Sequence, residues 1–257
     1  MRTAILGFTL ILASLGIAAI AKAAESDAEQ KSAPVKSQRR PPHLYCVLIG
    51  GMDSDPSPEQ VAGAAPRDAG NSGLYRLRGD LQVDRVFPEY FNWNGTQPGD
   101  LNNPQPPRSA GIVERMREHC RLHPRDRVAI VGNSWGGHTA HEVARDLAKS
   151  ETPLAIDLVI FLDPSSAGRT LVPPKGRPIT VNSSANYFTR NRFVWGPLKI
   201  QESHENIDLG DPGSGYLREE GPKYNAPFDF PAHVAAEWDE RIHADICRRL
   251  LKLIPGD

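Results

Sequence analysis

The chain is short of most features that mark a nucleic-acid, metal or disulfide protein. Its 257 residues carry 30 Lys+Arg against 31 Asp+Glu, a net charge of −1. Without a basic excess or a basic stripe there is no electrostatic footprint for nucleic acid. Only three cysteines occur, Cys46, Cys120 and Cys247. None stands at metal-ligand spacing, so neither a metal nor an organic cofactor is expected. Cys46 lies in an apolar run and reads as a buried, inert thiol. Cys120 and Cys247 fall on the core-facing side of two predicted helices, which leaves a disulfide open in an exported protein. The chain has no internal repeat, and its one long apolar run is residues 4–21. A single run does not build a multi-pass membrane protein.

That run has the flanks of a targeting segment. Met1-Arg2-Thr3 is a positive start, and Ala21-Lys22-Ala23 follows the small-x-small pattern of signal cleavage. Residues 1–23 are expected to be a signal peptide, with a retained N-terminal anchor as the second reading. Residues 24–42 are polar, aromatic-free and proline-bearing, the composition of a disordered linker. The folded domain is expected over residues 43–257, in the periplasm or outside the cell. Asn94-Gly95-Thr96 also fits a glycosylation sequon.

Within that domain strands alternate with helices. Residues 44–49 form an apolar run ending in Gly50-Gly51, which suits a buried parallel strand. A helix is predicted over 73–81 and a strand over 83–91, interrupted by Pro88. Ser109 is placed to cap a helix whose Ile112, Val113, Met116 and Cys120 share one face. Strands follow at 128–131, 156–162, 178–183 and 198–209, and a final helix starts near His233. Its Ala235, Trp238, Ile242, Ile246, Leu250 and Leu253 fall on one face. The order predicts a three-layer α/β/α sandwich around a mostly parallel sheet of about six strands.

The strongest signal is Gly132-Asn133-Ser134-Trp135-Gly136. It joins the apolar run 128–131 to a helix with Ala140, Val143, Ala144, Leu147 and Ala148 on one face. A Gly-x-Ser-x-Gly turn between strand and helix pushes the serine hydroxyl out of the sheet. A serine nucleophile needs a base, an acid to orient the base, and donors for the developing oxyanion. Asp163 closes the next strand and is the first choice for the acid, with Asp208 and Asp211 as rivals. Asp157 begins that strand and belongs to the opposite edge. His233 precedes the last helix and is the first choice for the base, with His204 as its rival. His243 lies too far along the last helix, and His138 and His141 are expected to face solvent. His43, His119 and His123 have no acid partner in view. The oxyanion donors are expected at the backbone N–H of Trp135 and at Gly51 or Met52. Phe193 and Trp195 sit in an aromatic loop that could line an acyl pocket.

Gly-Asn-Ser-Trp-Gly-Gly, Asp163 and His233, in that chain order, resemble the α/β-hydrolase-fold serine hydrolases over about residues 43–254. The resemblance implies a sheet trimmed to about six strands and an acyl-enzyme mechanism. It places the acid one strand earlier than in many members, where this chain has Asn182-Ser183-Ser184 instead. The first strand also lacks the family's common His-Gly pair. The central expectation is an exported esterase or lipase-like enzyme on a small-molecule ester. An acyltransferase or thioesterase on the same triad, and a catalytically silent binding protein on the same fold, are the alternatives.

Overall fold

The computed structural model describes residues 41–52, 54–63, 70–98, 109–165, 180–192, 200 and 203–254. The expected signal and nearly all of the linker, as well as Phe193 and Trp195, lie outside the described residues. Six strands form one sheet: β1 Leu44–Ile49, β2 Val86–Phe91, β3 Arg127–Asn133, β4 Ile156–Leu162, β5 Val181–Phe188 and β6 Glu205–Asp208. Their order is β2-β1-β3-β4-β5-β6, and every neighbouring pair is parallel. The helices are α1 Pro58–Val61, α2 Gly73–Asp80, α3 Ala110–Leu122, α4 Trp135–Ala148, α5 Phe230–Trp238 and α6 Glu240–Leu251.

The sheet is covered on both faces, and the period-two alternation of its strands sorts side chains between two cores. Leu44, Cys46 and Leu48 pack on one face with Leu74 and Leu77 of α2, Ala232 and Ala236 of α5, and Ile242, Ile246 and Leu250 of α6. Tyr45, Val47 and Ile49 pack on the other with Ile112 and Met116 of α3 and Val143 and Leu147 of α4. This is the three-layer α/β/α arrangement expected, with about six strands now six and all parallel. No helix of the described residues is long and apolar enough to cross a membrane.

The two cores decide the cysteine question. Cys247 packs against the first core and Cys120 against the second, so the sheet lies between them and no bridge joins them. All three cysteines are free thiols. Burial pushes both Cys120 and Cys247 up to about 11, far from a reactive thiolate.

Several expected boundaries move, each for a local reason. Pro88 does not end its strand, because β2 is an edge strand and a missing N–H is tolerated there. The strand expected at 178–183 is β5, which runs from Val181 past the expected end to Phe188. Two of its polar groups find partners across the fold: Ser184 N–H donates to His204 Nδ1 at 3.1 Å, and Asn186 Nδ2 to Asn206 Oδ1 at 3.0 Å. β6 is limited to Glu205–Asp208. Within it, the Asn206 side chain accepts from Ile200 N–H and donates to Ile200 O, so Ile200 is held by side-chain bonds. Ser109 has helical backbone angles and makes no side-chain cap, and its Oγ donates to Asp146 at 2.8 Å.

The last helix is two helices. Asp239 ends α5 and caps α6, where its Oδ1 accepts from Arg241 N–H at 3.0 Å. Tyr224 Oη and the Arg241 guanidinium also donate to its carboxylate. Burial pushes this carboxyl up, and those donors outweigh it, leaving it below the usual range. Asp229 caps α5 and Pro231 lies in its first turn, so that helix starts at Phe230 rather than near His233.

Candidate active site

The carboxyl ends of β3 and β4 carry the sequence motif and the expected acid. Ser134 lies between β3 and α4 with φ 51° and ψ −121°. A left-handed φ is costly for a residue with a Cβ and persists only where its surroundings over-determine it. Here two backbone bonds do so. Ser134 N–H donates to Leu162 O at 3.0 Å, and Ser165 N–H donates to Ser134 O at 2.9 Å. The turn is thereby fastened to the end of β4. The flanking glycines permit close approach: a Cβ on Gly132 would lie 2.4 Å from Gly136 O, and one on Gly136 would lie 2.2 Å from Ile49 O.

Asp163 is the next residue after β4, also left-handed at φ 43°. Its N–H donates to Tyr187 O of β5 at 2.7 Å, which fixes the backbone of the turn. Thr189, just past β5, holds the carboxylate. Its N–H donates to Oδ1 and its hydroxyl to Oδ2, each at 2.8 Å. His233 comes from the first turn of α5. Its Nδ1 lies 2.6 Å from Asp163 Oδ2, and its Nε2 lies 2.8 Å from Ser134 Oγ. An acceptor carboxylate at Nδ1 places the ring proton there and leaves Nε2 to accept from the serine hydroxyl. All three side chains are buried.

The structure thus brings Ser134, His233 and Asp163 together and sends their rivals elsewhere. Asp208 pairs with Arg190 and accepts from Gly210 N–H. Asp211 accepts from Gly213 N–H in the 3₁₀ turn at Pro212–Ser214. His204 accepts from Ser184 N–H. Asp157 binds Arg127 and Val128 N–H at the opposite sheet edge. Three histidine expectations need correction. His138 is buried rather than facing solvent, with Glu142 one turn away on α4 at 3.4 Å. His119 and His43 do have an acid: Asp126 lies 3.0 Å from His119 Nε2 and accepts from His43 N–H. The side chains of the sequon bind each other, with Thr96 Oγ1 donating to Oδ1 of the buried Asn94 at 2.8 Å.

Gly51 adjoins the serine. A Cβ there would lie 3.0 Å from Ser134 Cβ and 3.2 Å from Asn133 Nδ2, a tight fit that these side chains would have to yield to. Met52 follows in a turn with its side chain 46% exposed. Trp135 opens α4, and its ring meets Trp93 edge-on at 4.6 Å. Trp93 is fixed from below by Thr139, whose hydroxyl donates to its carbonyl at 2.6 Å.

Sequence reasoning missed Thr189 and Trp93. Thr189 carries no signal at a distance of 26 residues from Asp163, since only the pairing of β4 with β5 sets them side by side. Trp93 follows β2, and an aromatic just past the end of a parallel strand was a usable hint. The resemblance-based acid position also shifts: the residues after the true end of β5 begin with Thr189, not Asn182-Ser183-Ser184, and hold no acid through Arg192.

No family model and no curated protein sequence matches the chain. Among solved structures it is similar to a cutinase-like protein from Cryptococcus sp., with 14% identity, 84% of this chain and 98% of that one covered, and a TM-score of 0.42. It is also similar to a protein from Xanthomonas campestris pv. campestris described as a hydrolase of the alpha/beta superfamily. There the identity is 13%, the coverage 80% of this chain and 98% of that one, and the TM-score 0.40. Likeness at this level assigns no activity.

Proposed function

We propose that the protein is an exported serine hydrolase that cleaves carboxylic esters through Ser134, His233 and Asp163. The observation that carries this reading is the continuous relay, 2.8 Å from Ser134 Oγ to His233 Nε2 and 2.6 Å from His233 Nδ1 to Asp163 Oδ2. In the first step Ser134 Oγ attacks the ester carbonyl while His233 Nε2 takes its proton. The imidazolium then protonates the leaving alkoxide, and the acyl group stays on Ser134. Water, deprotonated by the same nitrogen, attacks the acyl-enzyme and releases the acid. Asp163 stays ionised throughout, its two oxygens held by Thr189, and it stabilises the imidazolium.

The oxyanion is assigned to the backbone N–H of Trp135, at the positive end of the α4 dipole, with a second donor from Gly51 or Met52. The Trp93–Trp135 pair supplies an apolar wall beside the nucleophile for the acyl or alcohol group. Export rests on residues 1–23, where the positive start, apolar run and small-x-small end occur together.

A fluorophosphonate probe on the mature protein tests the reading. Labelling of the wild type that is lost in Ser134→Ala supports it, and an unlabelled wild type sinks it in favour of a binding protein on this fold. An ester panel with and without an alcohol acceptor then separates hydrolysis from acyl transfer, and a thioester in the panel tests that chemistry.

A further inference from the structure

A second buried carboxylate lies one turn beyond His233 on the same helix. Glu237 is 3% exposed and follows the histidine at i+4, so both face inward from α5. Its carboxylate is fully engaged. Ser54 Oγ donates to Oε2 at 2.9 Å, and Ser72 Oγ and Leu74 N–H donate to Oε1 at 3.2 Å each. Its carbonyl oxygen takes the Nε2–H of His243 at 2.7 Å, and a Cβ on Gly73 would meet that oxygen at 2.2 Å. The residue is therefore gripped by α2, α6 and the chain after β1 together.

The contact with Ser54 reaches the nucleophile. A Cβ placed on Gly51 would lie 3.3 Å from Ser54 Oγ and 3.0 Å from Ser134 Cβ, so Gly51 is packed between the two serines. Ser54 N–H donates to Gly51 O at 3.3 Å, and Tyr90 Oη donates to Ser54 O at 2.8 Å. Ser54 is thus held from both β2 and α5. We propose that Glu237 is a positioning residue for the proposed hydrolase: through Ser54 it fixes the Gly51–Met52 backbone, the second oxyanion donor, at a set distance from the helix that carries His233. This rests on the serine-hydrolase reading and adds a residue that sets the spacing of base and oxyanion donor.

The chemistry of the carboxyl suits the role. Burial holds it above the ordinary glutamate value, and its three donors and the charge of a protonated His233 oppose that shift without cancelling it. A buried carboxylate with all its acceptors filled rigidifies what it holds, and leaving one of those donors unpaired is costly. A leucine here would pack α5 against α2 and leave Ser54 held by Tyr90 alone.

The test uses Glu237→Gln and Ser54→Ala, both close to the original volume, in the full mature chain. First the fluorophosphonate label on wild-type Ser134 is recorded. Then kcat and KM on a labelled-confirmed ester are measured beside amide exchange at Gly51 and Met52. Expected for Glu237→Gln is a kcat lower by about tenfold or more with KM within about twofold, and faster exchange at Gly51 and Met52. Ser54→Ala repeats the faster exchange with a smaller loss of kcat. A merely structural role moves the melting temperature without the kcat-only loss or the localised exchange. A labelled wild type with unchanged exchange and kcat in Glu237→Gln overturns the inference alone. An unlabelled wild type overturns the hydrolase reading and the inference with it.

Discussion

At the carboxyl ends of the strands His233 Nδ1 lies 2.6 Å from Asp163, and at the amino ends His119 Nε2 lies 3.0 Å from Asp126. The two edges of the sheet thus each carry a histidine–aspartate pair among the described residues, the first buried and the second partly buried. The difference lies in what the other side of each ring meets. His233 turns its second nitrogen to Ser134, which stands on a left-handed turn. His119 lays its face on Tyr45 at 3.9 Å and 10°, and Tyr45 Oη donates to Glu89, which also pairs with Arg115. The acids differ as well. Asp163 is left-handed at a strand end and filled by Thr189, whereas Asp126 precedes β3 and receives His43 N–H. A His–Asp pair is thus common architecture, and the strained serine beside one of them makes the candidate active site. This follows the general rule that parallel sheets gather reactive groups at their carboxyl edge.

The comparison can be broken by exchanging the two histidines' fates. His233→Ala and Ser134→Ala are each expected to lower ester kcat by about a millionfold. His119→Ala should leave kcat within about threefold and change only stability. Initial-rate assays on one ester decide it, and equal losses would erase the distinction drawn between the edges. Asp163→Asn is expected to lower kcat by about ten-thousandfold, because the imidazole loses its fixed tautomer. Urea unfolding of that variant should stay cooperative. A surviving kcat would show that Asp163 does not orient the base.

Smaller effects sharpen the contrast. Gly136→Ala should cost about 1–3 kcal/mol in chemical denaturation, since its methyl would meet Ile49 O and Gly50 O at 2.2 and 2.4 Å. Tyr45→Phe at the opposite edge loses one hydrogen bond to Glu89 and should cost about 1 kcal/mol with no effect on turnover.

A pH measurement probes the support under α5. Burial pushes His243 below its ordinary value while its Nε2–H serves Glu237 O. The neutral ring is the folded form, so the unfolded chain takes up the proton first as pH falls. Stability is full above the ordinary histidine value and declines as pH drops below it, until the lowered folded value is reached. Urea midpoints at pH 8 and pH 5 should differ less in His243→Gln than in the wild type.

Much of this molecule was legible in one dimension. The elbow, the strand carrying Asp163 and the histidine before the last helix are local patterns, because apolar runs, glycines and chain order are properties of short segments. So are β1, α2 and β4, whose apolar spacing matches the observed elements. Polar strands were only partly legible: β5 runs past its expected end at Ser183 to Phe188, where Ser184 N–H and the Asn186 amide find His204 and Asn206 as partners across the fold. The break at Asp239 was hidden for a related reason. An aspartate within an apolar periodicity reads as one polar position, until Tyr224 and Arg241 supply the partners that make it a cap.

What the sequence determined alone is the order of chemistry along the chain: a serine on a glycine-flanked turn, an acid at the next strand's end, and a histidine far downstream. What only the tertiary structure decided is how those groups are held. Thr189 meets Asp163 across 26 residues and Glu237 meets Ser54 across 183. Contacts at such separations leave no period in the sequence, because they exist only once the parallel sheet has brought its strand ends to one edge. The same sheet separates Cys120 from Cys247. Side-chain spacing along a helix predicts which face is covered, and only the packed layers determine what covers it.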